Sequence, residues 1–480
     1  MGRIGIVSYG AYLPRYRLNR AVIFKALEWL NPGGMTGEKA VSNFDEDSLT
    51  MAVAACINAT DEIDRKKIEG VYFASTTAPY CERESAAIIS EALDLNPNVR
   101  TGDFTGALKS GTVALLAALD YAKGGGGNML VCAADCRLGK PGSSAELLFG
   151  DGAGAVMTGD ENPIAVFEGA YSSAADFPDF RRSEGDKFVR ASEERFIRDE
   201  GFAKIIPEVV HGLLKKLDLT PKDINKIGYA CVYARDHATL GKKMGFEPGQ
   251  IQAPLLAVAG ELGAATPLVT LSAMLDEAKP GDKLLLASFG NGADALVFTV
   301  TEEINKLKNR TKLSKCLAAK KELTSYEKYL VFRGILPIEI GVGQDIAPTQ
   351  LPLAWRERKT IMALYGTKCK KCGTPQYPPQ RICVNPKCGA VNEMEPYHFA
   401  DRKGKVFSFT EDYTAASISP PLIYSMVDFE GGGRFIFELT DCESGSVKTG
   451  MSVCMSFRRK YHDIERGIHG YFWKAVPVKE

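Results

Sequence analysis

Four cysteines carry the most definite chemistry in the chain. Cys369-Lys-Lys-Cys372-Gly and Cys383-Val-Asn-Pro-Lys-Cys388-Gly give two ligand pairs. A thiolate knuckle supplies two sulfurs at roughly tetrahedral spacing, and two knuckles close a four-sulfur shell around Zn²⁺. The glycine after each second cysteine allows the tight turn a knuckle needs. With every coordination position taken by sulfur, the metal is structural. In so short a segment it supplies much of the folding free energy, on the order of 10–16 kcal/mol of binding. The second pair has a wider gap than a typical knuckle, so iron and a redox pair stand as the alternatives.

The other eight cysteines (Cys56, Cys81, Cys132, Cys136, Cys231, Cys316, Cys442 and Cys454) are scattered, mostly in apolar stretches. That is the pattern of buried thiols in a reducing compartment, not of a disulfide framework, and a cytoplasmic location is expected. A length of 480 residues exceeds what one core usually serves. Lys plus Arg equals Asp plus Glu at 59 each, so no net field draws the protein to nucleic acid or to an anionic membrane. No apolar run approaches a bilayer span. The start, Met1-Gly2-Arg3-Ile4-Gly5-Ile6-Val7, reads as a first buried strand rather than a signal peptide, and Gly2 lacks the Ser/Thr of a myristoylation signal.

Residues 1–305 alternate apolar strands, such as 4–8 and 70–75, with helical stretches at Ser48–Ala59 and Ser110–Lys123. Such alternation predicts an α/β layer structure. Asn128-Met-Leu-Val-Cys-Ala-Ala leads into Gly150-Asp-Gly-Ala-Gly, and Lys283-Leu-Leu-Leu-Ala-Ser-Phe leads into Gly290-Asn-Gly-Ala-Asp. The echo suggests a duplicated unit rather than one long sheet, with coincidence among Gly/Ala-rich strands as the alternative. Residues 306–354 read as a connector carrying a basic amphipathic helix over 306–321 and a Gly/Pro-dotted stretch over 334–352. A helix and the cysteine ribbon fill 355–392. Beyond it, five short alternating segments (405–410, 422–427, 434–439, 452–458, 470–476) predict a small OB-type barrel over 393–480.

Gly5-Ile-Val-Ser-Tyr-Gly-Ala-Tyr-Leu-Pro, Asp45-Glu-Asp-Ser-Leu-Thr, Pro79-Tyr80, Lys109-Ser-Gly-Thr112, Asp176-Phe-Pro-Asp-Phe-Arg and Ser288-Phe-Gly-Asn-Gly carry a resemblance. In them residues 1–305 resemble the archaeal-type 3-hydroxy-3-methylglutaryl-CoA synthases and, more distantly, ketoacyl synthase III, all of the thiolase superfamily. Residues 355–480 resemble the zinc-ribbon/OB-fold domain that accompanies thiolase-like proteins and acyl-CoA hydratases. The resemblance implies a duplicated αβαβα sandwich, an acyl-CoA ligand, a homodimer, and a hydratase or thiolase as possible partner.

The chain departs from those synthases at each reacting position. Leu108 stands where they have the nucleophilic Cys, and Thr76 where they have the general-base Glu. The strand that precedes their catalytic His here runs Tyr229-Ala-Cys-Val-Tyr233 into Ala234-Arg-Asp-His237. Leucine forms no acyl-enzyme, and loss of such a unit removes roughly a million-fold of rate. The main-chain donors that the family uses for its oxyanion hole map to Leu108 and Gly290, with Asn291 and Gly292 in the same loop as candidate ligand contacts. Enolate stabilisation without a nucleophile suits aldol or retro-aldol chemistry on a β-hydroxyacyl-CoA. It also resembles the steroid side-chain retro-aldolases, which work beside this kind of zinc-ribbon domain.

Tyr233, Asp236, His237 and Tyr80 are the candidate proton carriers, with structural alternatives for Tyr233 as an inward strand aromatic, for His237 as a surface or capping residue and for Tyr80. Asn291 and Asp294 have an alternative as turn residues. Acyl transfer using Cys81 is a second expectation, although no His or cation is evident to activate it. A silent acyl-CoA-binding scaffold is a third. Nucleic-acid binding through Arg458-Arg-Lys-Tyr and Tyr471-Phe-Trp is a weak fourth in a chain without net charge.

Overall fold

The computed structural model describes residues 3–30, 34–61, 63–307, 312–340 and 349–478. Met1 and Gly2, and parts of the 306–321 and 334–352 stretches, lie outside the described residues. The chain forms two compact units, one of residues 1–43, 47–90 and 95–333, the other of residues 44–46, 91–94 and 334–480. No helix among the described residues is long and apolar enough to cross a membrane.

The first unit is built on a nine-stranded sheet. Its order is Lys226–Tyr229, Lys283–Phe289, Gly292–Val300, Ala165–Ala174, Gly5–Tyr12, Gly152–Gly159, Asn128–Asp135, Ile68–Ala74, Arg100–Phe104. From the middle outward, each half repeats one pattern: a first strand, an antiparallel partner, a second antiparallel partner, then a parallel strand. Only the first half adds the edge strand Arg100–Phe104. The duplication is therefore present in topology. The expectation of separate sheets needs correction, because Gly5 and Ile6 pair with Val166 and Ala165 and join the halves into one.

Helices form where small and apolar residues recur, with or without a side-chain cap. Ser48–Ala59 starts at a capping box in which Asp47 accepts from the Thr50 N–H at 2.9 Å and Thr50 Oγ1 accepts from the Asp47 N–H at 2.9 Å. Helices Ser110–Lys123 and Thr266–Glu277 pack against each other within one core that includes Leu115, Leu268 and Phe298, all fully buried. Burial of each such side chain is worth about 1.5–3 kcal/mol. Helices Leu313–Ala318 and Tyr326–Phe332, which the sequence assigns to a connector, belong to this first unit.

The second unit holds a three-stranded ribbon (Tyr365–Cys369, Pro375–Gln376, Met394–His398) and a closed barrel. The barrel strands are Gly404–Asp412, Leu422–Phe429, Arg434–Leu439, Ser452–Asp463 and Ile468–Pro477, with the last two exchanged in the closure order. Trp473, Phe437, Phe457 and Tyr471 fill the barrel. Tyr471 and Trp473 are thus core residues, and Arg458 is buried against the carboxylates of Glu46 (2.7 Å), Asp441 (2.6 Å) and Asp45 (3.3 Å). These side chains offer no base-stacking platform.

Candidate active site and metal centre

Leu108 lies just before helix Ser110–Lys123, in the loop that leaves strand Arg100–Phe104. Its N–H donates no hydrogen bond among the described residues and sits at the positive end of a fourteen-residue helix. Gly290 closes against it. A Cβ added to Gly290 would lie 2.7 Å from Leu108 N and 2.8 Å from Lys109 N, so only glycine permits this approach. A buried network fixes the arrangement from below. Thr112 Oγ1 donates to Asp294 Oδ2 at 2.7 Å and meets Ser288 Oγ at 2.7 Å. Lys109 Nζ lies 3.6 Å from Asp294 Oδ1 and donates to the Ser173 carbonyl at 3.0 Å.

Asp294 is therefore a scaffold residue. Asn291, at φ +52°, is a turn residue whose amide donates to the Phe177 carbonyl. Gly292 lies in the same turn, where an added Cβ would meet Ser173 O. The expectation of two free oxyanion donors is corrected at Gly290, whose N–H donates to Gly292 O at 2.9 Å across that turn. The amide of Leu108 remains.

A narrow cleft opens at Leu108. Its walls are mainly apolar, with Phe202, Val232, Leu255, Leu262 and Phe289 prominent. Its titratable lining groups are Tyr229, Cys231 and Glu261. The candidate proton carriers Tyr233, Asp236, His237 and Tyr80 do not line it. Tyr233 OH donates to the Glu194 carbonyl at 3.0 Å, and Asp236 lies 3.9 Å from Arg198. His237 stacks on Tyr229 with ring centroids 4.3 Å apart, and burial lowers its pKa to about 4. Tyr80 accepts from Arg83 at 2.7 Å, and Cys81 is exposed outside the cleft. For Tyr233, Asp236 and His237 the reason is local. After Val232 the chain enters helix Ala234–Lys243, which carries its side chains away from the cleft wall.

Thr76 is absorbed into the scaffold. Thr76 donates through Oγ1 to Asp135 Oδ2 at 2.9 Å and through N–H to Asp135 Oδ1 at 2.8 Å. Fully buried Asp135 also accepts from Ser75 Oγ (3.0 Å), Thr77 Oγ1 (2.8 Å) and the Ala264 N–H (2.7 Å). Each neutral donor offsets part of the desolvation of this carboxylate.

The cleft holds groups that sequence reasoning missed. Cys231, read only as a scattered thiol, lines it; its Sγ donates to the Tyr233 carbonyl at 3.4 Å, and burial pushes its pKa up to about 11. Glu261 is the cleft's one carboxylate. Its Oε2 accepts from Arg137 Nη1 at 2.7 Å, and its Oε1 accepts from the Gly263 N–H at 2.8 Å and from Thr266 Oγ1 at 3.2 Å. The Arg137 guanidinium lies over Phe149, 3.8 Å from the ring centroid. A signal was available for Glu261, because it is the lone charge in the apolar run from Pro254 to Val269.

In the second unit the four thiols come together as the spacing predicts. The sulfurs of Cys369, Cys372, Cys383 and Cys388 all lie within 4.8 Å of one another, with Cys369–Cys388 at 3.8 Å and Cys372–Cys383 at 3.5 Å. A tetrahedral shell at Zn–S of about 2.3 Å requires edges of about 3.8 Å, so the residues fit the metal. Gly373 and Gly389 take φ of +76° and +58°, the left-handed turns that follow each knuckle. No group in this shell is left to do chemistry on a substrate.

Residues 363–392 match the family described as ChsH2, rubredoxin-like zinc ribbon domain, and residues 397–458 that described as ChsH2, C-terminal OB-fold domain. The hydroxymethylglutaryl-CoA synthase of Methanopyrus kandleri is 34% identical over 342 residues, covering 68% of this chain and 96% of the relative. Among solved structures, HMG-CoA synthase complexed with CoA matches with a TM-score of 0.60 at 20% identity, over 72% of this chain and 94% of that one. MvaS in complex with 3-hydroxy-3-methylglutaryl coenzyme A matches at 0.59 and 19%, over 73% and 95%. These two show the fold. The relatives' names fit the acyl-transfer alternative better than the lyase expectation. The chain belongs to the hydroxymethylglutaryl-CoA synthase family and carries, in the same polypeptide, a zinc ribbon and OB-fold domain of the ChsH2 kind.

Proposed function

We propose that this protein makes or breaks a carbon–carbon bond in a β-hydroxyacyl-CoA while the acyl group stays on CoA. The observation that carries this reading is Leu108, a side chain without a nucleophilic atom, at the head of a helix whose end amide is free and faces the cleft loop of Gly290. An amide so placed holds the oxygen of a thioester enolate, which is the charge that develops when the Cα–Cβ bond breaks. One structural relative binds 3-hydroxy-3-methylglutaryl coenzyme A, itself a β-hydroxyacyl-CoA, and that supports the substrate class. The zinc ribbon takes no part in the chemistry. Pairing into a homodimer belongs to the same reading, since strand Arg100–Phe104 is bonded along one side only.

The test is incubation of purified protein with 3-hydroxy-3-methylglutaryl-CoA, with product analysis and intact-protein mass spectrometry. The expected result is acetyl-CoA release with no mass added to the protein. Acyl transfer through Cys231 is the second reading, favoured by the thiol's place in the cleft wall and by the synthase relatives. A burial-raised pKa of about 11 leaves few thiolates at neutral pH, which weighs against it. An acyl adduct on Cys231, lost in Cys231→Ser together with activity, decides for that second reading. Tight binding of the thioester with neither product nor adduct points instead to a silent scaffold.

A further inference from the structure

Glu261 belongs to none of the motifs that define the synthase resemblance, yet it is the cleft's only carboxylate. A carboxylate offers about four acceptor sites. Three are filled, two on Oε1 by Gly263 N–H and Thr266 Oγ1 and one on Oε2 by Arg137 Nη1. One lone pair of Oε2 stays available to a ligand in the cleft. The surroundings hold the group still. Arg137 is 4% exposed, and Gly263, at φ +61°, has no room for a side chain because a Cβ there would fall 2.2 Å from Asp135 Oδ2. Thr266 ties the carboxylate to the start of helix Thr266–Glu277, and its own Oγ1 accepts from the Leu262 N–H at 3.1 Å. Burial pushes the other two titratable lining groups, Tyr229 and Cys231, up and away from proton exchange near neutrality.

We propose that Glu261 is the catalytic base of the cleft, accepting the proton of the substrate's β-hydroxyl through Oε2; this rests on the carbon–carbon bond reading above. In the cleavage direction the O–H proton passes to Glu261 and the Cβ–O bond becomes a carbonyl. The Cα–Cβ bond breaks, and its electron pair enters the thioester as an enolate held at Leu108 N–H. Glu261 then returns the same proton to Cα, giving the shorter acyl-CoA. Substrate atoms and electrons balance without a co-reactant, and one group serves as base and then as acid.

Wild type and two variants, Glu261→Gln and Glu261→Asp, are compared in the full-length protein with 3-hydroxy-3-methylglutaryl-CoA as probe. Exchange of acetyl-CoA α-hydrogens with deuterium oxide is measured alongside cleavage. Glu261→Gln keeps the shape and an oxygen for Gly263 and Thr266 but takes up no proton. Its expected loss is about 10²–10⁴-fold in both kcat and exchange. Binding of a non-cleavable thioether analogue should stay within tenfold, and Glu261→Asp should recover part of the rate. Should Glu261→Gln fail to fold, as judged by thermal melting, the aspartate variant decides: parallel losses of cleavage and exchange support the base, and wild-type rates exclude it. A folded Glu261→Gln that cleaves within threefold of wild type overturns the role of Glu261 and leaves the parent reading standing. A wild-type protein that neither cleaves nor exchanges overturns both.

Discussion

The zinc ribbon and the cleft make opposite use of their residues. In the ribbon, four side chains of one type are brought to tetrahedral spacing, and the thiols themselves are the chemistry. In the cleft, Leu108 brings a side chain without a reactive atom, and what it offers is a main-chain amide approached closely by Gly290. A site made of side chains is lost when its residues change. A site made of main chain survives as long as the packing beneath it does.

That contrast can be broken most forcefully at the ribbon. Replacing Cys383 with Ser, or stripping the metal with a chelator, should abolish one bound zinc per chain. It should also unfold the ribbon, since structural zinc contributes on the order of 10–16 kcal/mol in comparable segments. Metal analysis and circular dichroism check this, and cleft activity measured in parallel shows whether the two units depend on each other. Next comes the cleft's own scaffold. Asp135→Ala orphans the buried N–H of Ala264 and the half-buried N–H of Thr76, with an expected loss of about 1–4 kcal/mol in chemical denaturation.

Gly290→Ala tests the main-chain site directly. Its Cβ would sit 2.7 Å from Leu108 N, and the loop must open to admit it. The expected result is a fall of about 10²–10³-fold in turnover, with a stability loss of about 1–3 kcal/mol as the loop opens. Unchanged turnover would show that the Leu108 amide has no role. The smallest effect concerns His237, whose pKa is lowered to about 4 by burial from an ordinary 6.5. Its folded pKa is the depressed one, so the associated stability is complete above pH 6.5, falls as the pH drops from 6.5 to about 4, and is constant below. Integrated, the loss is ~3 kcal/mol. His237→Phe keeps a flat ring on Tyr229 and should remove this slope from thermal melts taken across that range.

Legibility in the sequence followed the same division. The cysteine pairs gave the ribbon, alternating segments gave the five barrel strands, and small-residue periodicity gave helices Ser48–Ala59 and Ser110–Lys123 with their bounds. The cleft was harder. Leu108 and Gly290 were singled out only because the resemblance pointed to them, and the N–H of Gly290 is taken by Gly292 O. Tyr233, Asp236 and His237 follow the cleft-lining stretch Tyr229–Val232 in sequence but do not line the cleft, because the chain turns into helix Ala234–Lys243 there. Asp135 and Glu261 reach their partners across 59 and 124 residues of chain, to Thr76 and Arg137 respectively. Separations of that size leave no local periodicity to read.

The bonds made by Thr76 have a consequence for any remodelling of this region. A glutamate placed at that position would displace the hydroxyl now held by Asp135 and break a set of contacts that also secures Ser75, Thr77 and Ala264. A carboxylate introduced there comes with a loosened loop, so a redesign has to begin by finding new partners for Asp135.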